Sequence, residues 1–309
     1  MSRRPLDTTQ VLPAVAVPPA DRVRLISLCA ALFKLRIGFA ITLASLGGAV
    51  LAAGQWLPVL DTLVLAAAVL LASSGAGAFN HYYDRDIDAV MGRTSGRPFV
   101  NGLLTARTGW PVLFFGLIAA GSGLAAWHFN PAAGLFTAAG ALTYAIVYTM
   151  WLKRRTDWNI VIGGAAGSWA VLAGAAAAGE FGSAAVLWLA VVLFLWTPSH
   201  FWSLAIALAE DYRRAKVPML PVTRGVDVAV RWNLVNTIAL AASTVALAVV
   251  VNTPLLWLGA IAGSGWLLWT TLKMVHDPVR AKAMTAFKAS LIQLGALLAG
   301  LFTAFMVPG

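Results

Sequence analysis

Nine long apolar runs constrain this chain more than any other feature of its sequence. The runs lie at residues 37–54, 57–79, 110–127, 132–151, 160–178, 184–208, 234–251, 255–272 and 289–306. Each is long enough for a helix to cross a hydrocarbon core of about 30 Å at about 1.5 Å per residue. Backbone polar groups find no partner in lipid except each other, so each run is predicted to be a helix. A β-barrel is excluded, because its strands alternate over about ten residues.

The composition agrees with lipid as the main solvent. Hydrophobic residues make up 60% of the chain and charged residues 11%, against about 45–50% and about 25% in soluble globular domains. Mean hydropathy is +0.80. The chain has too little polar surface for a water-soluble enzyme. Cys29 is the single cysteine, which excludes an intrachain disulfide.

The basic residues predict the orientation of the bundle. All 22 Lys and Arg residues precede the first run or lie in every second connection after it. Positive residues favour the cytoplasmic side, so we predict nine transmembrane helices with the N-terminus cytoplasmic and the C-terminus outside. The same rule explains the net charge of +10, and no nucleic-acid partner is expected.

The N-terminal region divides into two parts. Residues 1–21 contain several prolines and no apolar core of signal-peptide length, and are predicted to form a disordered cytoplasmic tail. Residues 22–36 have basic ends with apolar residues between them, as expected of an interfacial helix leading into the first span. The membrane domain is therefore predicted to comprise residues 22–309.

The acidic residues indicate where chemistry takes place. Asn80, Asp84 and Asp88 continue the second apolar run at i, i+4 and i+8, so all three share one helix face, whereas Asp86 lies off it. Carboxylates stacked in this way repel unless a cation lies between them. Mg²⁺ suits the position, since it takes one or two carboxylates and shares phosphate oxygens of its substrate. The alternative is a solvated helix end balanced by nearby arginines.

Two other cytoplasmic connections repeat the combination of acidic and basic residues. Lys153, Arg154 and Arg155 follow the fourth span and could clamp a diphosphate, although basic residues there also fit the topology signal alone. Glu210 and Asp211 follow the sixth span and precede a basic, proline-containing loop. The two acidic sites could face each other across a cavity.

At three places the chain resembles the UbiA-type intramembrane prenyltransferases, and among them the branch that modifies haem. The similar segments are residues 80–98, 148–164 and 197–222, in the family's order and each at a cytoplasmic helix end. The chain departs from the wider family at Ala215, where a second aspartate is usual four residues after Asp211, and at 168–171, where many members have paired prolines.

The resemblance implies an all-α membrane bundle whose central cavity opens to the cytoplasm. It also implies Mg²⁺-dependent transfer of a farnesyl group from farnesyl diphosphate to a vinyl group of haem B, with addition of water. The partners would be these two substrates and the lipid bilayer of a bacterial-type inner membrane, and a haem A synthase would act downstream. Two alternatives stay open, namely a prenyltransferase for a quinone or chlorophyll-type aromatic acceptor and, more distantly, a transporter.

The motifs and the resemblance together assign candidate site residues in three groups. The catalytic and metal-binding candidates are Asn80, Asp84, Asp88 and Asp211, with Glu210 as a further metal ligand. The diphosphate-binding candidates are Arg93, Arg97, Lys153, Arg154 and Asn159. The haem-binding candidates are His200, Trp202 and Tyr212. For His200, which interrupts an apolar run, a helix–helix hydrogen bond is the alternative to a haem contact.

Overall fold

The computed structural model describes residues 22–306, and this part of the chain is helical and contains no strand. The prediction of a disordered tail falls on residues 1–21, outside the described residues. The helices are α1 (Arg22–Leu32), α2 (Leu35–Ala53), α3 (Val59–Tyr83), α4 (Arg85–Val90), α5 (Gly109–His128), α6 (Pro131–Leu142), α7 (Asn159–Gly163), α8 (Ala165–Ala177), α9 (Ala184–Ala207), α10 (Ala209–Arg214), α11 (Leu220–Thr223), α12 (Val226–Val251), α13 (Pro254–His276) and α14 (Arg280–Ala304). A π-helical segment, Thr143–Leu152, continues α6 directly.

The predicted spans are confirmed in number and order. Within residues 22–306, nine helical stretches are long and apolar enough to cross a membrane by length and composition. The largest differences are at α12 and α14, which begin eight or nine residues before the predicted runs at 234 and 289. The added first eight or nine residues of these helices include Arg231, Arg280, Lys282 and Lys288, which lower hydropathy without disturbing helix formation.

Small residues bring the membrane helices into close contact. A Cβ at Gly174 of α8 would overlap the carbonyl oxygen of Ser45 on α2, and one at Gly48 of α2 would overlap the carbonyl oxygen of Val171. Lipid is as apolar as the side chains, so helices in a membrane associate through such close packing rather than through a hydrophobic driving force. The α2–α8 contact therefore holds two spans against each other at backbone distance.

Helical regularity is lost at one end of the bundle, where α2 begins, α3 ends and the π-helical segment ends; we call this the basic end. Between α1 and α2, Lys34 adopts a left-handed conformation (φ 49°). The prediction that the acidic block continues the second span without interruption is wrong, because α3 ends at Tyr83 and α4 begins at Arg85. The backbone bonds from Asp84 N to Asn80 O and from Asp88 N to Asp84 O nonetheless preserve i, i+4 spacing.

Candidate active site

A cavity of about 550 Å³ lies at the basic end. Side chains from α1, α2, α3, α4, α9, α10 and the π-helical segment line it. Its polar and charged lining includes Lys34, Arg36, Asn80, His81, Asp88, Arg93, Arg97, Tyr144, Tyr148, Lys153 and Tyr212. Five of these residues are cationic and one is an acid, so the cavity is built for an anion.

Asn80 links lining residues of the cavity to buried residues behind them. Its amide oxygen accepts a hydrogen bond from Lys34 Nζ at 2.6 Å, and the same ammonium donates to the Tyr144 hydroxyl at 2.9 Å. The amide nitrogen of Asn80 donates to Asp84 Oδ2 at 2.7 Å and to Thr149 Oγ1 at 3.0 Å. Burial lowers the pKa of Lys34, and the nearby cations Arg97 and Lys153 lower it further. An anion in the cavity would reverse that effect by favouring the charged ammonium.

Asp84 is fully buried and lies next to the cavity, outside its lining. Its Oδ2 accepts a hydrogen bond from Lys153 Nζ as well as from Asn80, whereas its Oδ1 is buried without a hydrogen-bond partner. The guanidinium of Arg154 lies 3.6 Å from Oδ1. A buried charge that keeps one oxygen unsatisfied is costly unless another group uses that oxygen.

Of the other two carboxylates, Asp88 faces the cavity and Asp86 faces solvent, as their helix positions predict. Asp88 is 2% exposed, lines the cavity and accepts a hydrogen bond from Arg97 at 2.5 Å. Asp86 is exposed and pairs with Arg154 through both carboxylate oxygens, at 2.7 and 2.8 Å. Hydrogen bonding to Arg154 lowers the pKa of Asp86. Because Asp84 and Asp88 are buried, the alternative of a solvated helix end does not hold for them.

Aromatic side chains form one wall of the cavity. Tyr144 and Tyr148 stack with ring centroids 5.6 Å apart and an interplanar angle of 11°. Tyr212 reaches the same cavity from α10, and Arg93 lines the cavity as well. Burial raises the pKa of Tyr212, so its phenol stays neutral. These rings present π-faces beside the anion-binding end, where a developing carbocation could be stabilised.

An apolar crevice of about 100 Å³ adjoins the cavity on the side of the membrane interior. Ile37 and Tyr144 line both spaces. The rest of the crevice is formed mainly by alanines and aliphatic or aromatic side chains of α2, α3, α6 and α8. The site thus combines a cationic chamber with a narrow apolar extension.

Several predicted residues lie outside the lining of the large cavity. Asn159, the first residue of α7, is fully buried, and its amide donates to Thr156 O at 2.6 Å. Glu210 is exposed and pairs with Arg213, whereas Asp211 pairs with Arg214. Asp211 lines a neighbouring cavity instead. The predicted meeting of two acidic sites across one chamber is therefore not seen, since short-range pairs within α10 hold both acids.

Of the three haem-binding candidates, only one lies at the large cavity. Tyr212 lines the large cavity, but His200 and Trp202 do not. His200 is 7% exposed and makes the helix–helix contact given as its alternative, a 2.7 Å hydrogen bond from Nδ1 to Ser290 Oγ of α14. It also stacks on Trp196 and Phe287, with ring centroids 4.3 Å away in each case. Trp202 is buried and faces a small pocket beside Asp157.

The predicted site residues leave out Lys34 and Tyr144, which both line this cavity. In the sequence, Lys34 is only a topology signal. The signal for Tyr144 was available, because Tyr144 and Tyr148 recur at i, i+4 inside an apolar span. Nothing in the sequence distinguishes Lys34 from the other basic residues before the first span.

The oxygen donors suit a magnesium ion that shares its coordination with a ligand. In residues 22–306 no three His, Cys, Asp or Glu side chains gather into a metal-binding cluster. Mg²⁺ does not need such a cage, since it keeps several waters and binds through one or two carboxylates and substrate phosphates. The unpartnered Asp84 Oδ1 and the Asp88 carboxylate at the cavity are hard oxygen donors of that kind.

The chain is similar in sequence to known proteins. A family model described as the UbiA prenyltransferase family matches residues 40–302. A protein of Paramagnetospirillum magneticum named protoheme IX farnesyltransferase 2 is 50% identical over 278 residues, which cover 90% of this chain and 95% of that protein. A protoheme IX farnesyltransferase of Desulforudis audaxviator is 41% identical over 78% of this chain and 74% of its own length.

Solved structures share the fold at low sequence identity. A structure described as digeranylgeranylglyceryl phosphate synthase superposes with a TM-score of 0.74 at 14% identity, over 91% of this chain and 99% of its own. A UbiA homolog from Archaeoglobus fulgidus bound to GPP and Mg²⁺ gives a TM-score of 0.66 at 18% identity, over 91% and 100% of the two chains. The helical arrangement is therefore one that other membrane proteins adopt.

Proposed function

This chain belongs to the UbiA prenyltransferase family, and we propose that it transfers a farnesyl group from farnesyl diphosphate to a vinyl group of haem B. The observation that carries the prenyl-transfer part is the continuity between a cationic chamber and an apolar crevice. A prenyl diphosphate likewise joins an anionic diphosphate, which suits the chamber, to an apolar chain, which suits the crevice. The haem acceptor rests on relatives named protoheme IX farnesyltransferase that are up to 50% identical. The chain is a multi-pass membrane protein, consistent with a place in the bacterial inner membrane.

The cationic chamber would hold the diphosphate. Lys34, Arg93, Arg97 and Lys153 all line it. Charge-assisted hydrogen bonds from these groups would stabilise the negative charge that grows on the leaving diphosphate. Lys34 and Lys153 are already oriented by Asn80 and Asp84, so little reorganisation is needed when the anion enters.

Asn80, Asp84 and Asp88 would hold Mg²⁺ together with the diphosphate oxygens. The support is the hard-oxygen donor set and the unpartnered Asp84 Oδ1. When bound, the ion supplies further neutralisation of the leaving group. Glu210 and Asp211 would act only in a second metal site, and their pairing with Arg213 and Arg214 makes such a site dependent on rearrangement of α10.

The apolar crevice would take the farnesyl chain. The crevice begins at Ile37 and Tyr144 and continues between α2, α3, α6 and α8. With the chain in this crevice, the allylic carbon would lie beside the stacked tyrosines and the diphosphate beside the cations. The surrounding apolar walls keep water away from the allylic cation until the acceptor attacks.

The reaction balances with one water. The allylic carbon–oxygen bond breaks, and its electron pair leaves with the diphosphate. The vinyl π electrons of haem then form the new carbon–carbon bond, which leaves a cation on the vinyl carbon next to the porphyrin. Water adds there and releases a proton, so the product is a hydroxyalkylated haem, with diphosphate and a proton as the other products.

The test is a membrane assay with haem B, farnesyl diphosphate and Mg²⁺, read by mass spectrometry of the extracted haems. We expect a haem that has gained one farnesyl group and one hydroxyl group. Chelation with EDTA should abolish the product and added Mg²⁺ should restore it. If farnesyl diphosphate binds in a Mg²⁺-dependent manner but no haem product forms, the acceptor is a different aromatic compound, such as a quinone precursor.

A further inference from the structure

A second cavity, of about 380 Å³, lies beside the large one. The two are neighbours, because Arg93 and Leu204 line both. Its remaining lining includes Arg280 at the start of α14, Asp211, Leu208 and Met284. Neither the diphosphate nor the prenyl chain of the proposed function uses this space.

Arg280 is a solvent-exposed charged residue at the edge of this cavity. It makes no side-chain hydrogen bond, ion pair or cation–π contact with any residue between 22 and 306. Its basic neighbour Lys282, in contrast, is paired with Asp277 at 2.7 Å. The acid in the cavity, Asp211, is occupied by Arg214. Arg280 thus keeps an uncompensated charge at the edge of the chamber.

The lining combines that charge with an apolar surface. Leu204 and Leu208 are 7% and 8% exposed and Met284 is partly buried, so an apolar surface separates the guanidinium of Arg280 from the large cavity. Arg93 supplies a second guanidinium at the boundary. An arginine binds a carboxylate through two parallel hydrogen bonds. The chemistry therefore fits an apolar molecule that carries carboxylates on one edge.

We propose that Arg280 binds the propionate carboxylates of the porphyrin acceptor. This inference rests on the proposed function, because it assumes a haem substrate. Haem B carries its propionates on the edge away from at least one vinyl group. Propionates held in the second cavity would turn that vinyl group toward the large cavity, where the allylic carbon lies. Arg280 is then a specificity-determining residue for the acceptor and leaves farnesyl diphosphate binding alone.

The test compares Arg280→Gln with Lys282→Gln, a matched loss of charge two residues away on the same helix. Haem B affinity is measured on the purified protein by quenching of tryptophan fluorescence, and KM values are measured for both substrates. Arg280→Gln should weaken haem binding and raise the haem KM about tenfold or more, the effect of losing a charge-assisted hydrogen bond. The KM for farnesyl diphosphate should not change, and Lys282→Gln should resemble the wild type.

Haem dimethyl ester provides the second arm, because its propionates carry no charge. The wild type should bind the ester as weakly as Arg280→Gln binds haem B, and Arg280→Gln should show no further loss with the ester. Wild-type turnover of haem B with unchanged haem affinity in Arg280→Gln would overturn this inference and leave the proposed function intact. Failure of the wild type to bind haem would overturn both. A loss of stability that depends on anionic lipid, with haem affinity unchanged, would reassign Arg280 to a lipid headgroup.

Discussion

At the scale of single residues, the buried pair of Asp84 and Lys153 organises the candidate site. Asp84 is fully buried, and its Oδ2 accepts hydrogen bonds from both Asn80 and Lys153. Removing one partner of such a pair leaves an uncompensated buried charge. The pair therefore contributes to the fold as well as to the site, and a test must separate the two roles.

Asp84→Asn should abolish measurable farnesyl transfer and lower the free energy of unfolding by about 3–5 kcal/mol, because the Lys153 ammonium loses its counter-charge. The double variant Asp84→Asn/Lys153→Met should recover most of that stability and none of the activity. The measurements are product formation and thermal unfolding in detergent. Asp86→Asn is the matched control, since Asp86 is exposed and two residues away. Recovery of activity in the double variant would show that the carboxylate is only structural.

Lys34→Met should raise the KM for farnesyl diphosphate by roughly tenfold or more, since the ammonium faces the proposed diphosphate site and is lost as a charged donor. Lys273→Met serves as the control, because Lys273 lies over the Trp269 ring away from both cavities. Steady-state kinetics with varied farnesyl diphosphate provide the measurement. An unchanged KM in Lys34→Met would mean that the ammonium only holds Asn80 and Tyr144 in place.

At the scale of secondary-structure elements, the contact between α2 and α8 depends on the absence of side chains. Gly174 and Gly48 each lie against a backbone carbonyl of the opposite helix. Both helices also reach the apolar crevice, since Ile37, Ile41, Ala170 and Ala173 line it. Separation of α2 from α8 would therefore change both the packing and the width of the crevice.

Gly174→Ala should destabilise the protein by about 1–3 kcal/mol or more, because the added methyl group forces the two helices apart. Gly123→Ala is the matched control, since a Cβ at Gly123 of α5 would meet nothing within 4 Å. That change should be neutral or stabilising by up to about 1 kcal/mol, as alanine favours helix over glycine. Thermal unfolding in one detergent compares the two variants. Equal melting temperatures would contradict the close α2–α8 contact.

At the scale of the whole molecule, the main prediction concerns orientation. An odd number of predicted spans with every basic connection on one side predicts a cytoplasmic N-terminus and a C-terminus on the opposite side. Reporter fusions at the two ends of the chain should therefore give opposite signals. Residue 105 lies in a connection predicted to be cytoplasmic, and residue 180 in one predicted to lie on the opposite side. Reporters inserted at these two positions should therefore also give opposite signals. A shared location for the two termini would contradict the predicted topology.

Much of the architecture of the whole molecule can be predicted from the sequence. Long apolar runs and the distribution of Lys and Arg predict the spans, their order and their orientation, because the bilayer imposes helix formation and positive residues favour one side. The spacing of Asn80, Asp84 and Asp88 predicts which acids turn inward and that Asp86 does not. The structure agrees on burial, with Asp84 and Asp88 enclosed and Asp86 exposed.

The functional partners of these residues depended on the tertiary structure. The sequence alone could not place Lys34 against Asn80, which are 46 residues apart, or His200 against Ser290, which are 90 residues apart. It also could not separate Asp211, held by Arg214, from the chamber that Tyr212 enters. Helix formation is decided locally by hydropathy and backbone hydrogen bonds. The neighbours of a side chain depend on how distant helices rotate and pack, and here close contacts at Gly48 and Gly174 hold two of those helices together.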